Sequence, residues 1–175
     1  MAWPRNSQAR ISANTGSTFM MAELPTTPRR GSTVMRTAED GTQTTYTYNA
    51  SLGLYVAHEG LGAQDTLKYD SANLQWVWTD GATQNREIYD LTGKLSSLQD
   101  INGHAVTLSY TSGKIDTITD DNGESVQIHY DSSNRIIDVT TSYKSGSGTT
   151  VQLKRVSYGY NASATDMRSH TSLRR

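Results

Sequence analysis

The chain has 175 residues, of which 34% are hydrophobic and one is phenylalanine, and its formal net charge is −1. A nearly neutral chain gives no electrostatic reason to expect a nucleic acid as partner. The absence of cysteine excludes disulfides, a thiolate nucleophile and cysteine-ligated zinc. No stretch of eighteen apolar residues is present, so no helix is expected to span a membrane. Abundant threonine and tyrosine favour sheet over helix.

Residues 1–37 differ in composition from the rest of the chain. They hold all three prolines and two adjacent methionines. No apolar run of the length typical of a signal peptide comes after the basic start. Residues 17–24 are a candidate short helix. We interpret residues 1–37 as a non-repeat segment, either a linker or a cap over the first edge of the next domain.

Tyrosines recur with a nearly fixed period after this segment. The first five are 20 or 21 residues apart, and a sixth comes after a longer interval: Tyr48, Tyr69, Tyr89, Tyr110, Tyr130 and Tyr160. A second marker repeats with almost the same period: Gly41, Gly62, Gly81, Gly103 and Gly123. A fixed period in this range indicates a repeat architecture.

Turn signals divide each period into two strands. Four of the marker glycines follow an aspartate or asparagine, which predicts a two-residue hairpin turn with positive φ at both central residues. A weaker turn marker follows each of the first five tyrosines: Gly53, Asn73, Gly93, Gly113 and Asn134. Two turns and two strand-like runs in each period predict one β-hairpin per repeat.

Alternation assigns the tyrosines to one face of the predicted sheet. Val106, Leu108 and Tyr110 share a face by their period of two, and the same pattern recurs one repeat later. The tyrosines are therefore interpreted as structural, with the ring turned inward. The repeat around Tyr89 departs, because Ile88 rather than Glu87 is its apolar residue. A bulge or a shifted register is expected there.

The best-formed repeat begins Tyr89-Asp90, continues with Gly93-Lys94-Leu95 and reaches Asn102-Gly103. This pattern resembles the YD repeat of the RHS family. The resemblance implies an all-β fold, in which consecutive antiparallel hairpins form a continuous curved or coiled sheet. It also implies a bacterial protein that is secreted or exposed at the cell surface, where such sheets form shells or scaffolds. Two tyrosines depart from the pattern, since Tyr110 precedes Thr111 and Tyr48 precedes Asn49.

These signals predict three segments. Residues 1–37 are the non-repeat segment, residues 38–163 the repeat domain, and residues 164–175 a disordered basic tail. The longer interval before Tyr160 is assigned to a loop insertion at residues 144–150, which are rich in glycine and serine.

Candidate chemistry is sparse. The four histidines show no metal-ligand spacing, and the acidic run before Gly123 does not fit a calcium loop. We therefore assign no catalytic residue, no metal ligand and no cofactor. Trp76 and Trp78 share a strand face, and this pair is expected either to fill the core or to form a stacking platform for sugar rings.

The expected function is a non-catalytic structural and interaction module. The alternative is a carbohydrate-binding or adhesive module that uses exposed tryptophan and tyrosine. The expected partners are other repeats or chains that pair at strand edges, including copies of this chain, with glycans as the alternative partner. Open edges at the ends of a short repeat array are the reason for this expectation.

Overall fold

The computed structural model describes residues 8–12, 18–20, 28–38, 42–58, 64–160 and 167–172. Every regular element in these ranges is a strand, which confirms the all-β prediction, and none of the described residues forms a helix long and apolar enough to cross a membrane. The strands are β1 (Gln8–Ser12), β2 (Thr18–Met20), β3 (Thr33–Thr37), β4 (Gln43–Asn49), β5 (Leu54–Val56), β6 (Thr66–Asp70), β7 (Gln75–Thr79), β8 (Arg86–Tyr89), β9 (Leu95–Gln99), β10 (Ala105–Thr111), β11 (Lys114–Asp120), β12 (Ser125–Tyr130), β13 (Ile136–Lys144), β14 (Thr150–Tyr160) and β15 (Met167–Ser172).

The chain divides into two compact units, residues 1–105 and 106–175. In the first unit, strands β3 to β9 pair antiparallel in chain order, as consecutive hairpins require. Strand β1 pairs in parallel with β3, and β2 pairs with β1. Strand β1 thus covers the edge of β3. The prediction of a helix at residues 17–24 is wrong for Thr18–Met20, which form β2.

The sheet of the first unit is strongly curved. Arg36 on β3 and Glu87 on β8 form an ion pair of 2.7 Å, although four strands lie between them in the sheet. In a flat sheet, five strand spacings would separate these strands by about 24 Å. The concave face therefore closes around the core of this unit, which consists of Val34, Tyr46, Tyr55, Ala57, Leu67, Trp76, Trp78 and Tyr89.

The second unit contains strands β10 to β15, which also pair antiparallel in chain order. Its β13–β14 hairpin is long, and Lys144 pairs with Thr150 at its end. The residues added before Tyr160 therefore mainly lengthen two strands, and the loop itself spans residues 145–149. The prediction of a disordered tail at residues 164–175 is wrong for Met167–Ser172, which pair with β14 as β15.

The turns at Gly81, Gly103 and Gly123 differ from the predicted two-residue type. At Gly103 and Gly123 the glycine alone has positive φ, 92° and 81°, and the preceding asparagine does not. Each closes a three-residue loop of a type I turn followed by a left-handed residue. Gly81 does not have positive φ, and in its loop Gln84 takes that conformation with φ of 61°. Gly41 and Gly62 lie outside the described residues.

Four hairpin turns share the same pattern of hydrogen bonds to an aspartate. The Oδ1 atom of the aspartate that opens each turn accepts hydrogen bonds from the amides two and four residues later. The amide fixed at the fourth residue closes the loop across its base. The carboxylate oxygen thus binds two backbone amides that would otherwise be left to water at the end of the hairpin. The four aspartates are Asp90, Asp100, Asp120 and Asp131.

Candidate functional site

Trp76 and Trp78 lie in the core of the first unit. Trp76 is fully buried and Trp78 is 7% exposed. The Trp76 ring packs against Tyr55 and Tyr69, with centroid distances of 5.4 Å and 5.2 Å. Trp78 donates a 3.0 Å hydrogen bond from Nε1 to the hydroxyl of Tyr46. A stacking platform for sugars needs exposed ring faces, so these contacts fit the core interpretation of the pair and not the ligand-binding one.

A charged cluster lies on the same concave face as the tryptophans. The guanidinium of Arg36 stacks 3.7 Å from the centre of the Trp78 ring. It donates to both carboxylate oxygens of Glu87, at 2.7 Å from Nη2 and 3.2 Å from Nε. The hydroxyl of Tyr89 donates to the same carboxylate. This is a bidentate pair with a third donor, and the Arg36 and Glu87 side chains are only 12% and 17% exposed.

The sequence predicts only that the repeat around Tyr89 departs from the alternation, and it does not predict the charged cluster. The register shift expected beside Tyr89 is present, between Ile88 and Tyr89. Glu87 nevertheless faces inward, because it is the cross-strand partner of Trp78. Its cation comes from the segment assigned as non-repeat, 51 residues earlier in the chain. The one signal in the sequence is a carboxylate at a position where other repeats carry an apolar residue.

The pKa values of Arg36, Tyr89 and the neighbouring Tyr46 are all raised further above pH 7. Burial and the Glu87 charge raise the pKa of Tyr89 far above its usual value. Burial also raises the pKa of Tyr46, to about 12, although the Trp78 indole opposes this shift. Burial alone would lower the pKa of Arg36, but the Glu87 carboxylate raises it. These shifts keep the Arg36 guanidinium and the hydroxyls of Tyr46 and Tyr89 protonated at pH 7.

Two tyrosines of the second unit, Tyr130 and Tyr160, form the same contact between the two strands of their own repeat. The Tyr130 hydroxyl donates to the carbonyl of Ile115 at 2.8 Å, and Lys114 Nζ lies 5.3 Å from the centre of its ring. Tyr160 repeats both contacts one hairpin later, with the carbonyl of Ile136 at 2.7 Å and the guanidinium of Arg135 at 4.4 Å from the ring centre. In both cases the tyrosine contacts a cation and the apolar residue after it, at the start of the preceding strand.

Tyr48, Tyr69 and Tyr110 complete the tyrosine series. Tyr48 and Tyr69 are half-buried and pack against the core of the first unit. Tyr48 lies 5.1 Å from Tyr55 between ring centres. Tyr110 is half-buried on β10. These positions agree with the structural interpretation of the repeat tyrosines.

A cleft of about 690 Å³ opens beside Tyr130 in the second unit. Across it, Asp138 accepts a 2.9 Å hydrogen bond from Lys154 Nζ and lies 2.6 Å from His129 Nδ1. The Lys154 hydrogen bond, followed by the contact with His129, holds the pKa of Asp138 below its usual range. Asp138, Lys154 and His129 thus satisfy one another.

The histidines and acidic residues do not converge on a metal site within the described ranges, where no group of three potential ligands forms. His58 and His104 are exposed, and the side chain of His170 lies outside the described residues. Among known proteins, no family model and no curated sequence matches this chain.

Proposed function

We propose that this chain is a β-hairpin-repeat scaffold module of a bacterial protein that is secreted or displayed at the cell surface, of the RHS type its sequence resembles. The observation that carries the proposal is the contact repeated at Tyr130 and Tyr160. Each tyrosine donates to a carbonyl at the start of the first strand of its own repeat, and each ring lies against the cation one residue before that carbonyl. A repeat that contains its own tyrosine contact can be added to the array as a unit.

Pairing in chain order supports the same proposal. Each strand from β3 to β9, and from β10 to β15, pairs with its neighbours in sequence. A wall built in this way grows by adding hairpins at its end, without rearranging the hairpins already present. In the first unit, β1 and β2 lie at one edge of the sheet, and in the second unit β15 lies at an edge of that unit's sheet. These terminal strands are the places where further repeats or other chains would pair.

Duplication of one repeat tests the scaffold role. A second copy of residues 111–130 inserted after Tyr130 supplies a complete hairpin with its own turn and tyrosine. We expect a folded protein whose urea m-value rises by about a tenth, since m scales with the surface exposed on unfolding. The maximum dimension from small-angle X-ray scattering should also increase.

The matched control inserts a glycine–serine segment of equal length at the same point. We expect it to lengthen the chain without raising the m-value. Loss of cooperative unfolding in the duplicated variant, or an m-value equal to that of the control, would show that the hairpins are not interchangeable repeats. The scaffold proposal would then be wrong.

A further inference from the structure

Three exposed leucines lie along one end of the first sheet. Leu52, Leu74 and Leu91 are 60%, 56% and 37% exposed. They occupy the β4–β5, β6–β7 and β8–β9 turns, which alternate with the turns of the opposite end and therefore share one rim. Successive tips are about 10 Å apart, because each hairpin adds two strand spacings. We call these three residues the leucine rim.

The repeat does not require leucine at these positions. The corresponding turns of the second unit carry Ser112 and Gly113, and then serines followed by Asn134. Leu74 also has a φ of 53°, in the left-handed region that Gly53 and Gly93 occupy in the neighbouring turns. A leucine in this conformation is strained, and its exposure gives no packing in return. Strain retained at an exposed apolar residue indicates a functional site.

The rim is suited to an environment with little water. Asn49 Oδ1 accepts the amides of Ser51 and Leu52, at 3.0 Å and 3.2 Å. Asp70 and Asp90 bind the amides of their own turns in the same manner. Backbone amides that are already hydrogen-bonded cost less to remove from water. The carboxylates of Asp70 and Asp90, which flank the leucines, therefore have part of their hydrogen-bonding capacity filled by their own turns.

Cations lie at the same end of the sheet. Arg29 and Arg30 are exposed in the turn before β3. This turn is held beside the end of β4 by a 2.9 Å hydrogen bond from the Tyr48 amide to the Ser32 carbonyl. Arg30 also lines a shallow depression of about 470 Å³ beside the turn that carries Leu52. A line of apolar tips next to exposed arginines is complementary to a surface with acyl chains and anionic headgroups.

We propose that the leucine rim, with Arg29 and Arg30, docks onto an anionic lipid surface. A second copy of the chain is a poorer occupant, because a stable protein interface uses roughly 20 to 30 residues on each side. A bilayer needs no shape complementarity, and it can accept all three tips at once. The contact is peripheral and reversible, since three side chains insert far less apolar surface than a spanning segment.

Vesicle co-sedimentation of the full chain tests this proposal. The probes are phosphatidylcholine vesicles with and without phosphatidylserine at low salt. We expect the chain to partition into the vesicles that contain phosphatidylserine. The combined variant Leu52→Ser, Leu74→Asn and Leu91→Ser should weaken this partitioning about tenfold or more. Arg29→Gln and Arg30→Gln should each weaken partitioning about fivefold, and only with anionic vesicles.

Ile101→Ser is the matched control, since Ile101 is 66% exposed in a turn at the opposite end of the strands. It should leave partitioning unchanged, and circular dichroism melts verify that every variant is folded. Equal partitioning of the wild type and the triple variant would overturn the proposal, as would absence of wild-type binding to anionic vesicles. Concentration-dependent self-association lost in the triple variant, without vesicle binding, would identify a second copy as the occupant instead.

Discussion

The ion pair between Arg36 and Glu87 is expected to be the most sensitive polar contact of the first unit. Glu87→Gln keeps the side-chain shape but leaves the Arg36 charge without its counter-ion. Because the two side chains are only 12% and 17% exposed, solvent replaces little of the lost interaction. Removing one partner of a buried pair costs about 3 kcal/mol at the lower end of measured values. With a urea m-value of about 2 kcal/mol per molar, the unfolding midpoint should fall by about 1.5 M.

Two further variants make this expectation refutable. Arg36→Met combined with Glu87→Leu should recover most of the loss, because neither charge then remains buried and unpaired. Asp138→Asn breaks the pair with Lys154, whose side chain is 49% exposed, and should cost at most about 1 kcal/mol. Urea unfolding followed by circular dichroism measures all three. If Glu87→Gln costs no more than Asp138→Asn, the pair is solvated and the reasoning from burial fails.

Three further expectations concern the turns. Leu74→Asn should raise the free energy of unfolding by about 1 kcal/mol in urea titrations, because asparagine tolerates positive φ better than leucine. Gly81→Ala should lower it by about 2 kcal/mol, since a Cβ would lie 2.5 Å from the carbonyl carbon of Gln64. The Arg135 amide and guanidinium lower the pKa of Asp131 below its ordinary value of 3.8. Its stabilising contribution is therefore present above that pH and is lost as pH falls below it, so Asp131→Asn should flatten the acid limb of a stability–pH profile.

The period, the strands and the inward face were predictable because they are local. Alternation places Val106, Leu108 and Tyr110 on one face whatever their strand partners are. The turn type was not predictable in the same way. An Asn-Gly pair suits both a two-residue turn and the end of a three-residue loop, and the choice at Gly103 depends on Asp100, three residues earlier.

Long-range pairing accounts for the remaining differences. Nothing near β1 specifies its parallel partner β3, and nothing near β15 specifies β14. Glu87 stands out in the sequence as an exception, but its role depends on Arg36 in a segment outside the repeat. Curvature of the first sheet brings these two residues together, and curvature is a property of many strands rather than of any local sequence.

Among the six repeat tyrosines, Tyr110 alone is not followed by an aspartate or asparagine, and its turn differs from those that an aspartate opens. Where Asp90 and Asp131 follow their tyrosines, the turn is a three-residue loop closed through the carboxylate. Thr111 follows Tyr110, and there Ser112 and Gly113 form a two-residue turn with φ of 51° and 81°. With threonine in place of the aspartate, the chain takes the shorter turn. At Asp90 and Asp131 the carboxylate is committed to the backbone of its own turn, which is a structural task.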